Sequence, residues 1–246
     1  MDFSVNITHL YPDLLNLYGD KGNIECLKKR LMWRGIEVNV TCITEGDEAK
    51  FENADIIFLG GGSPRDMEKV CAFLENKREE LLEYIENGGV FLAFCGGYPL
   101  LGVCEQENDA EPFGLKLLNI TTKLQKNGKR FIGDVVLYSE EFGNIVGFEN
   151  NNGKTKTGDY SPLGKILTGF GNDGESGFEG IIYKNVIGTN LHGPLLPKNP
   201  RLCDEILLRA LKRKYDDFNE LSHLDDSLEN SANEYVVKTF AKSDTK

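Results

Sequence analysis

Two short runs are apolar at every position and then break off at glycines. Ile56-Ile57-Phe58-Leu59, entered from Asp55, runs into Gly60-Gly61-Gly62, and Val90-Phe91-Leu92-Ala93-Phe94 runs into Cys95-Gly96-Gly97. A strand with no polar face is buried on both sides, which is the condition of a parallel sheet covered by helices. Between the runs, Ser63-Pro64 reads as an N-cap followed by a proline at the first helical position. The helix is expected to carry on through Leu81-Leu82-Glu83-Tyr84-Ile85 and to stop at Gly88-Gly89. Strand, glycine loop, helix, strand and glycine turn make an α/β pattern with a parallel sheet.

The rest of the chain extends this pattern. Val5 to Leu10 alternates like a first strand, residues 24–31 have helical periodicity ending near Gly35, and Ile36 to Val40 alternates again. Between about 115 and 190 short alternating runs, such as Leu117–Ile120 and Asp134–Tyr138, are separated by Gly and Asn, which predicts antiparallel strands extending the sheet. Val186 to His192 reads as a last strand carrying a histidine at its end. Pro200 to Lys214 is an amphipathic helix with Leu202, Ile206, Leu207 and Leu211 on one face. The expected fold class is α/β, a central, mostly parallel sheet flanked by helices with an antiparallel extension. Residues 1–214 form one domain, and 215–246 a polar tail in which Leu221, Leu224, Leu228 and Tyr235 are spaced for one more helix.

Charge and cysteine usage narrow the function classes. The 246 residues carry 39 acidic and 28 basic side chains, a net charge of −11. A field of that sign repels phosphate backbones and anionic lipid surfaces, which disfavours nucleic-acid and membrane-surface binding. The first residues have neither a charged n-region nor an apolar h-region, and no apolar stretch is long enough to span a bilayer. Six cysteines, at 26, 42, 71, 95, 104 and 203, form no C-x-x-C pair and match no zinc spacing. The expected compartment is the reducing cytoplasm, with five of the six acting as small buried hydrophobes. No metal site is expected.

Cys95 is the exception. Ligands in open α/β sheets sit beyond the carboxyl ends of the strands, and Cys95 lies at such an end with the small Ala93 and Gly97 two residues away on either side. A nucleophile on a sharp strand-to-helix turn needs small neighbours there, and a helix starting near Gly97 would lower the thiol pKa. The alternative is a structural cysteine beside a turn. Backbone amides of Gly61 or Gly62, together with the Gly96 N–H, are candidates for an oxyanion hole; the alternative is an ordinary βα turn. No Lys-Ser/Thr follows, so the loop is not a P-loop, and no G-x-G-x-x-G occurs. Of the three histidines, His192, before Gly193-Pro194, is the best candidate base.

Gly-Gly-Gly-Ser at 60–63, Phe-Cys-Gly-Gly-Tyr at 94–98 and Asn-Leu-His-Gly-Pro at 190–194 resemble the class I, triad-type glutamine amidotransferases, in the branch that includes cobyric acid synthase. Two longer strings, residues 9–23 and 191–200, resemble more closely the GatD-type glutaminase subunits of lipid II isoglutaminyl synthase. The resemblance runs from about residue 4 to 214. It implies that Cys95 attacks the glutamine side-chain amide, that His192 carries the proton, and that the glycine amides hold the oxyanion. It also implies a substrate-binding arginine after the elbow, which Arg130 supplies, with Lys129 as the competing choice. Without the family, Arg130 reads as a solvated strand-edge charge.

The wider class places an orienting glutamate two residues after the histidine; here that position is Pro194. The resemblance further implies a MurT-like, Mur-ligase-type partner subunit that binds ATP and Mg, and no cofactor in this chain; the missing glutamate leads to the separate expectation that the partner docks a carboxylate against His192. The rival readings are an amidotransferase subunit for cobyric acid or a related acceptor, an enzyme of the DJ-1 or peptidase type, and a non-catalytic module of the same fold. The second suffers from the absence of any histidine between 95 and 192.

Overall fold

A computed structural model describes residues 3–106, 110–125 and 130–241. In chain order the first half holds strands β1 (Ser4–Leu10), β2 (Glu37–Ile43), β3 (Ile56–Leu59), β4 (Val90–Phe94) and β5 (Val103–Glu105). Its helices are α1 (Lys21–Met32), α2 (Pro64–Leu74), α3 (Arg78–Glu86) and the single turn α4 (Gly97–Leu100). The second half holds β6 (Thr121–Leu124), β7 (Phe131–Ser139), β8 (Gly143–Asn151), β9 (Gly153–Lys156), β10 (Gly164–Thr168), β11 (Phe178–Glu179), β12 (Ile181–Tyr183) and β13 (Val186–Thr189). Helices α5 (Pro200–Lys214) and α6 (Ser227–Phe240) close the chain.

The main sheet has the order β12-β13-β4-β3-β1-β2, and only β12 runs antiparallel to its neighbour. The two apolar runs are adjacent in its middle, with Ile56 opposite Val90 and Leu59 opposite Ala93. Alternation of side chains across the pleat divides each run between two cores. Val90, Leu92 and Phe94 join α1 and α5 on one face, while Phe91 and Ala93 join α2 and α3 on the other. Both strands are fully buried, as an all-apolar pattern requires.

The antiparallel part is larger than an extension. β12 alone joins the main sheet; the others build an antiparallel four-stranded sheet, β11-β10-β7-β8, and a mixed three-stranded one, β5-β6-β9, in which β5 runs parallel to β6 and β9 antiparallel to it. The run Leu117–Ile120 is not a strand. Its Leu117 and Leu118 N–H groups both donate to Leu101 O, and the bend sends its apolar side chains into the second core. The helix expected from Pro64 to Ile85 is interrupted by a 3-10 turn at Glu75–Lys77. Helix α6 packs on β7, β8 and the turn before α5, held by Asn233, whose amide donates to Lys198 O and Asn199 Oδ1. No helix among the described residues is long and apolar enough to cross a membrane.

Candidate active site

The turn after β4 forces Cys95 to φ +53°, a region L side chains rarely adopt and one that costs of order 1–3 kcal/mol. The Cys95 N–H donates to Thr189 O at 2.8 Å, which locks the elbow to the end of β13. A Cβ on Gly97 would lie 2.4 Å from Leu59 O, and one on Gly61 would lie 2.6 Å from Cys95 Sγ. Both positions must therefore be glycine for backbone and sulfur to approach this closely.

Ser63 caps α2 as expected, accepting from the Asp66 N–H. The three loop glycines before it divide their roles. The Gly61 N–H is already committed, donating at 2.7 Å to Asp20 Oδ2. Gly61 thus contributes its bare Cα in this state, and Gly62 with Gly96 remain the candidate oxyanion donors. A Cβ on Gly96 would lie 3.2 Å from Gly62 N, so the Gly62 amide nitrogen sits close against the Gly96 backbone.

The depressed thiol pKa expected at Cys95 is not found. Burial pushes the thiol up to about 12, and the Asp20 carboxylate adds to this; the Gly96 N–H and the Arg130 charge pull the other way without prevailing. The following helix is a single turn, too short to offset the desolvation. Of the other cysteines, Cys104 and Cys203 are buried, Cys26 and Cys71 half-buried, and Cys42 is exposed, contrary to its expected place in the core.

His192 lies just past β13 rather than in it, for the strand ends at Thr189. Its N–H donates to Phe148 O at 3.0 Å, an isolated bridge to β8. Burial lowers its pKa to about 4, and neither ring nitrogen has a hydrogen-bond partner among the described residues. One ring face is covered by Tyr18, stacked at 4.0 Å between centroids and 8° between planes. The thiol and the imidazole are both neutral at rest.

Arg130 reaches the Cys95 cleft, whose lining includes Tyr18 but not His192, and among the described residues no hydrogen bond joins the His192 ring to Cys95. Arg130 lines, with Cys95, Gly96, Gly62, Tyr18, Asn150 and Asn190, a cavity of about 270 Å³. Its Nε donates to Asn150 Oδ1 at 2.9 Å and its Nη2 to Asn150 O at 3.0 Å. Lys129, its competitor, lies outside the described residues. A larger cleft of about 510 Å³, lined by Tyr160, Tyr183 and Lys184, holds neither cysteine nor histidine.

Three residues around the site escaped the reading of the sequence: Tyr18, Asp20 and Asn150. The first two belong to the string at 9–23, whose only sequence signal was resemblance. The Asn, Gly and Asp of residues 16–20 mark a turn, and the structure shows that turn wrapping the site. Leu17 N–H donates to Gly61 O, Asp20 holds Gly61 N–H, and Asn23 Oδ1 accepts from Leu196 N–H.

Comparison with known proteins shows the family of the chain. Residues 6–200 match the CobB/CobQ-like glutamine amidotransferase domain. The GatD subunit of the glutamine-hydrolysing lipid II isoglutaminyl synthase of Staphylococcus aureus is 42% identical over 234 residues, 95% of each chain. The corresponding subunit of Streptococcus pneumoniae is 38% identical over 245 residues, 98% of this chain and 94% of the relative. A glutamine amidotransferase crystal structure superposes with a TM-score of 0.56 at 18% identity, over 82% of this chain and 98% of the other, which speaks for the fold. The chain belongs to the CobB/CobQ-like glutamine amidotransferase family, on its GatD branch.

Proposed function

We propose that this chain hydrolyses L-glutamine to glutamate and ammonia at Cys95, and that it supplies the ammonia to a MurT-like partner for amidation of D-glutamate to D-isoglutamine in lipid II. The observation that carries the chemistry is the cleft in which the strained Cys95, the amides of Gly62 and Gly96 and the Arg130 guanidinium all converge. Near-full-length identity to two GatD subunits carries the choice of acceptor. A protein of Methanocaldococcus jannaschii named "Probable cobyric acid synthase", 32% identical, shares only 38% of its own length with this chain, which counts against the rival acceptor.

Arg130 holds the substrate α-carboxylate in a charge-assisted pair. The Cys95 sulfur attacks the side-chain amide carbon as its proton passes to His192; the oxyanion is held by Gly62 and Gly96. His192 then protonates the departing amine, ammonia leaves, and water hydrolyses the γ-glutamyl thioester. Because thiol and imidazole both rest neutral, the proton moves during attack rather than before it. The unpartnered ring nitrogens of His192 are matched by a carboxylate that we assign to the partner subunit, which also binds ATP and Mg. The six free thiols suit the reducing cytoplasm, where we place the complex.

The test is glutamate release from glutamine by the full chain, alone and with the Mur-ligase-type subunit. Slow turnover alone and fast turnover in the complex is the expected result. Full activity in the isolated chain would remove the partner's carboxylate from the mechanism, and no glutamate in either sample would sink the glutaminase reading.

A further inference from the structure

The Tyr18 side chain stands between the two ends of the site. Its backbone is at φ +63°, a strained conformation for a residue with a Cβ. Its ring lies flat against the His192 imidazole, 4.0 Å away and within 8° of parallel. Its hydroxyl accepts a 2.9 Å hydrogen bond from Asn150 Nδ2. The oxygens of the same asparagine, side chain and backbone, take two N–H groups of Arg130. A chain of contacts thus runs from the base, through one stacked ring and one amide, to the guanidinium that lines the Cys95 cleft.

The path replaces something the chain lacks. His192 has no hydrogen bond at either nitrogen to set its ring plane, and Pro194 occupies the place of the orienting glutamate. Phe148, tilted at 58° with its centroid 5.5 Å away, makes a more distant contact that does not lie flat on the ring. A parallel ring at van der Waals distance restricts rotation about the side-chain bonds of the histidine while leaving both nitrogen edges free. The loop carrying Tyr18 is itself fixed: Leu17 N–H donates to Gly61 O, and Gly22 packs so tightly on Pro194 that a Cβ would lie 2.5 Å from the proline ring.

We propose that Tyr18 is a positioning residue of this site: its ring fixes the plane of the His192 imidazole, and its hydroxyl, through Asn150, ties the base to the Arg130 substrate anchor. The two functions separate by atom. The ring acts on the proton-transfer step, while the hydroxyl and Asn150 act on substrate binding. This role rests on the glutaminase reading given above.

The experiment uses the full chain with its partner subunit, glutamine as substrate, and the variants Tyr18→Leu, Tyr18→Phe and Asn150→Ala. Tyr18→Leu should lower kcat about tenfold or more, since a misaligned base loses rate without losing binding. Tyr18→Phe should restore most of that kcat and raise KM several-fold. Asn150→Ala should raise KM by a similar factor, and combining it with Tyr18→Phe should add little, because both cut the same link. In NMR spectra of the full chain, which has three histidines, the His192 ring protons should lie upfield in the wild type and in Tyr18→Phe, and move downfield in Tyr18→Leu. Wild-type kcat in Tyr18→Leu, equal loss of kcat in the Phe and Leu variants, or an unmoved His192 resonance would overturn the positioning role. A wild-type complex that releases no glutamate would instead overturn the glutaminase reading on which it rests.

Discussion

Gly61 faces the Cys95 sulfur with no room for a methyl group: a Cβ there would sit 2.6 Å from Sγ and 2.7 Å from Gly96 N. Backbone and nucleophile cannot both yield, so Gly61→Ala should cost at least two orders of magnitude in glutamate release while lowering stability by about 1–3 kcal/mol, the usual cost of overpacking. Cys95→Ala should abolish release outright. The raised thiol pKa of Cys95 makes a further statement. Alkylation by iodoacetamide should be slow at neutral pH and climb through the alkaline range, because the thiolate is the reactive form. Rapid labelling at pH 7 in the free chain would show an ion pair at rest. Arg130→Ala should leave the fold intact and weaken glutamine binding about tenfold to over a hundredfold, the worth of one charge-assisted contact. An unchanged KM would remove it from the site.

At the scale of elements, legibility followed burial. β3, β4 and α5 could be read almost to the residue, because a strand buried on both faces and a strongly amphipathic helix each leave one pattern. The break between α2 and α3 left no trace, since residues 75–77 contain neither proline nor glycine. Nor could the alternating runs after residue 115 reveal which sheet each would join. Such runs report one buried face, and pairing partners are chosen by contacts distant in sequence. The site divides the same way. Cys95 and its glycines were visible because a tight turn is local, whereas the pKa of the thiol and the stack on His192 depend on tertiary burial.

The last helix shows the same limit. Of the four apolar residues spaced for it, Leu221 and Leu224 lie before its start and Leu228 and Tyr235 are exposed; instead Asp226 at its start takes Arg30 Nη1 at 2.6 Å, and Arg30 is buried between that carboxylate and Asp204. Asp226→Asn should destabilise the chain by about 1.5–3 kcal/mol, the range for hydrogen bonds to charged groups, with Asp204 retaining part of the arginine's pairing. Urea unfolding measures this, and an unchanged midpoint would mean that α6 is not fastened there.

For the molecule as a whole, the pH dependence of stability sets buried carboxyls against buried histidines. Burial pushes Asp20 and Glu149 up to about 7 and raises Glu179 as well. In the unfolded chain each ionises near 4, so between roughly pH 4 and 7 the folded state binds more protons, and stability falls as pH rises. His9 and His192 are lowered to about 4. Unfolded, they protonate below about 6.5, so across roughly pH 4 to 6.5 they make stability rise with pH. The opposing slopes should leave the wild type nearly flat over that window. Asp20→Asn combined with Glu149→Gln should unmask a rise, seen as urea midpoints that climb from pH 4.5 to 6.5. A double variant as flat as the wild type would mean that these carboxyls titrate normally.

The position of β13 in the main sheet also has a consequence for how the chain is made. β1 to β4 lie within the first 94 residues and can pair as they emerge, but β13, which covers the far side of β4, begins only at Val186. Until it arrives, Val90–Phe94 is an open, wholly apolar strand edge, the kind of surface on which unfinished chains stick to one another. The same delay keeps Thr189 away from Cys95, so the elbow has no anchor until the sheet is closed. A nascent chain is then most prone to aggregate in the interval between the two strands, and it gains its reactive centre only once that hazard has passed.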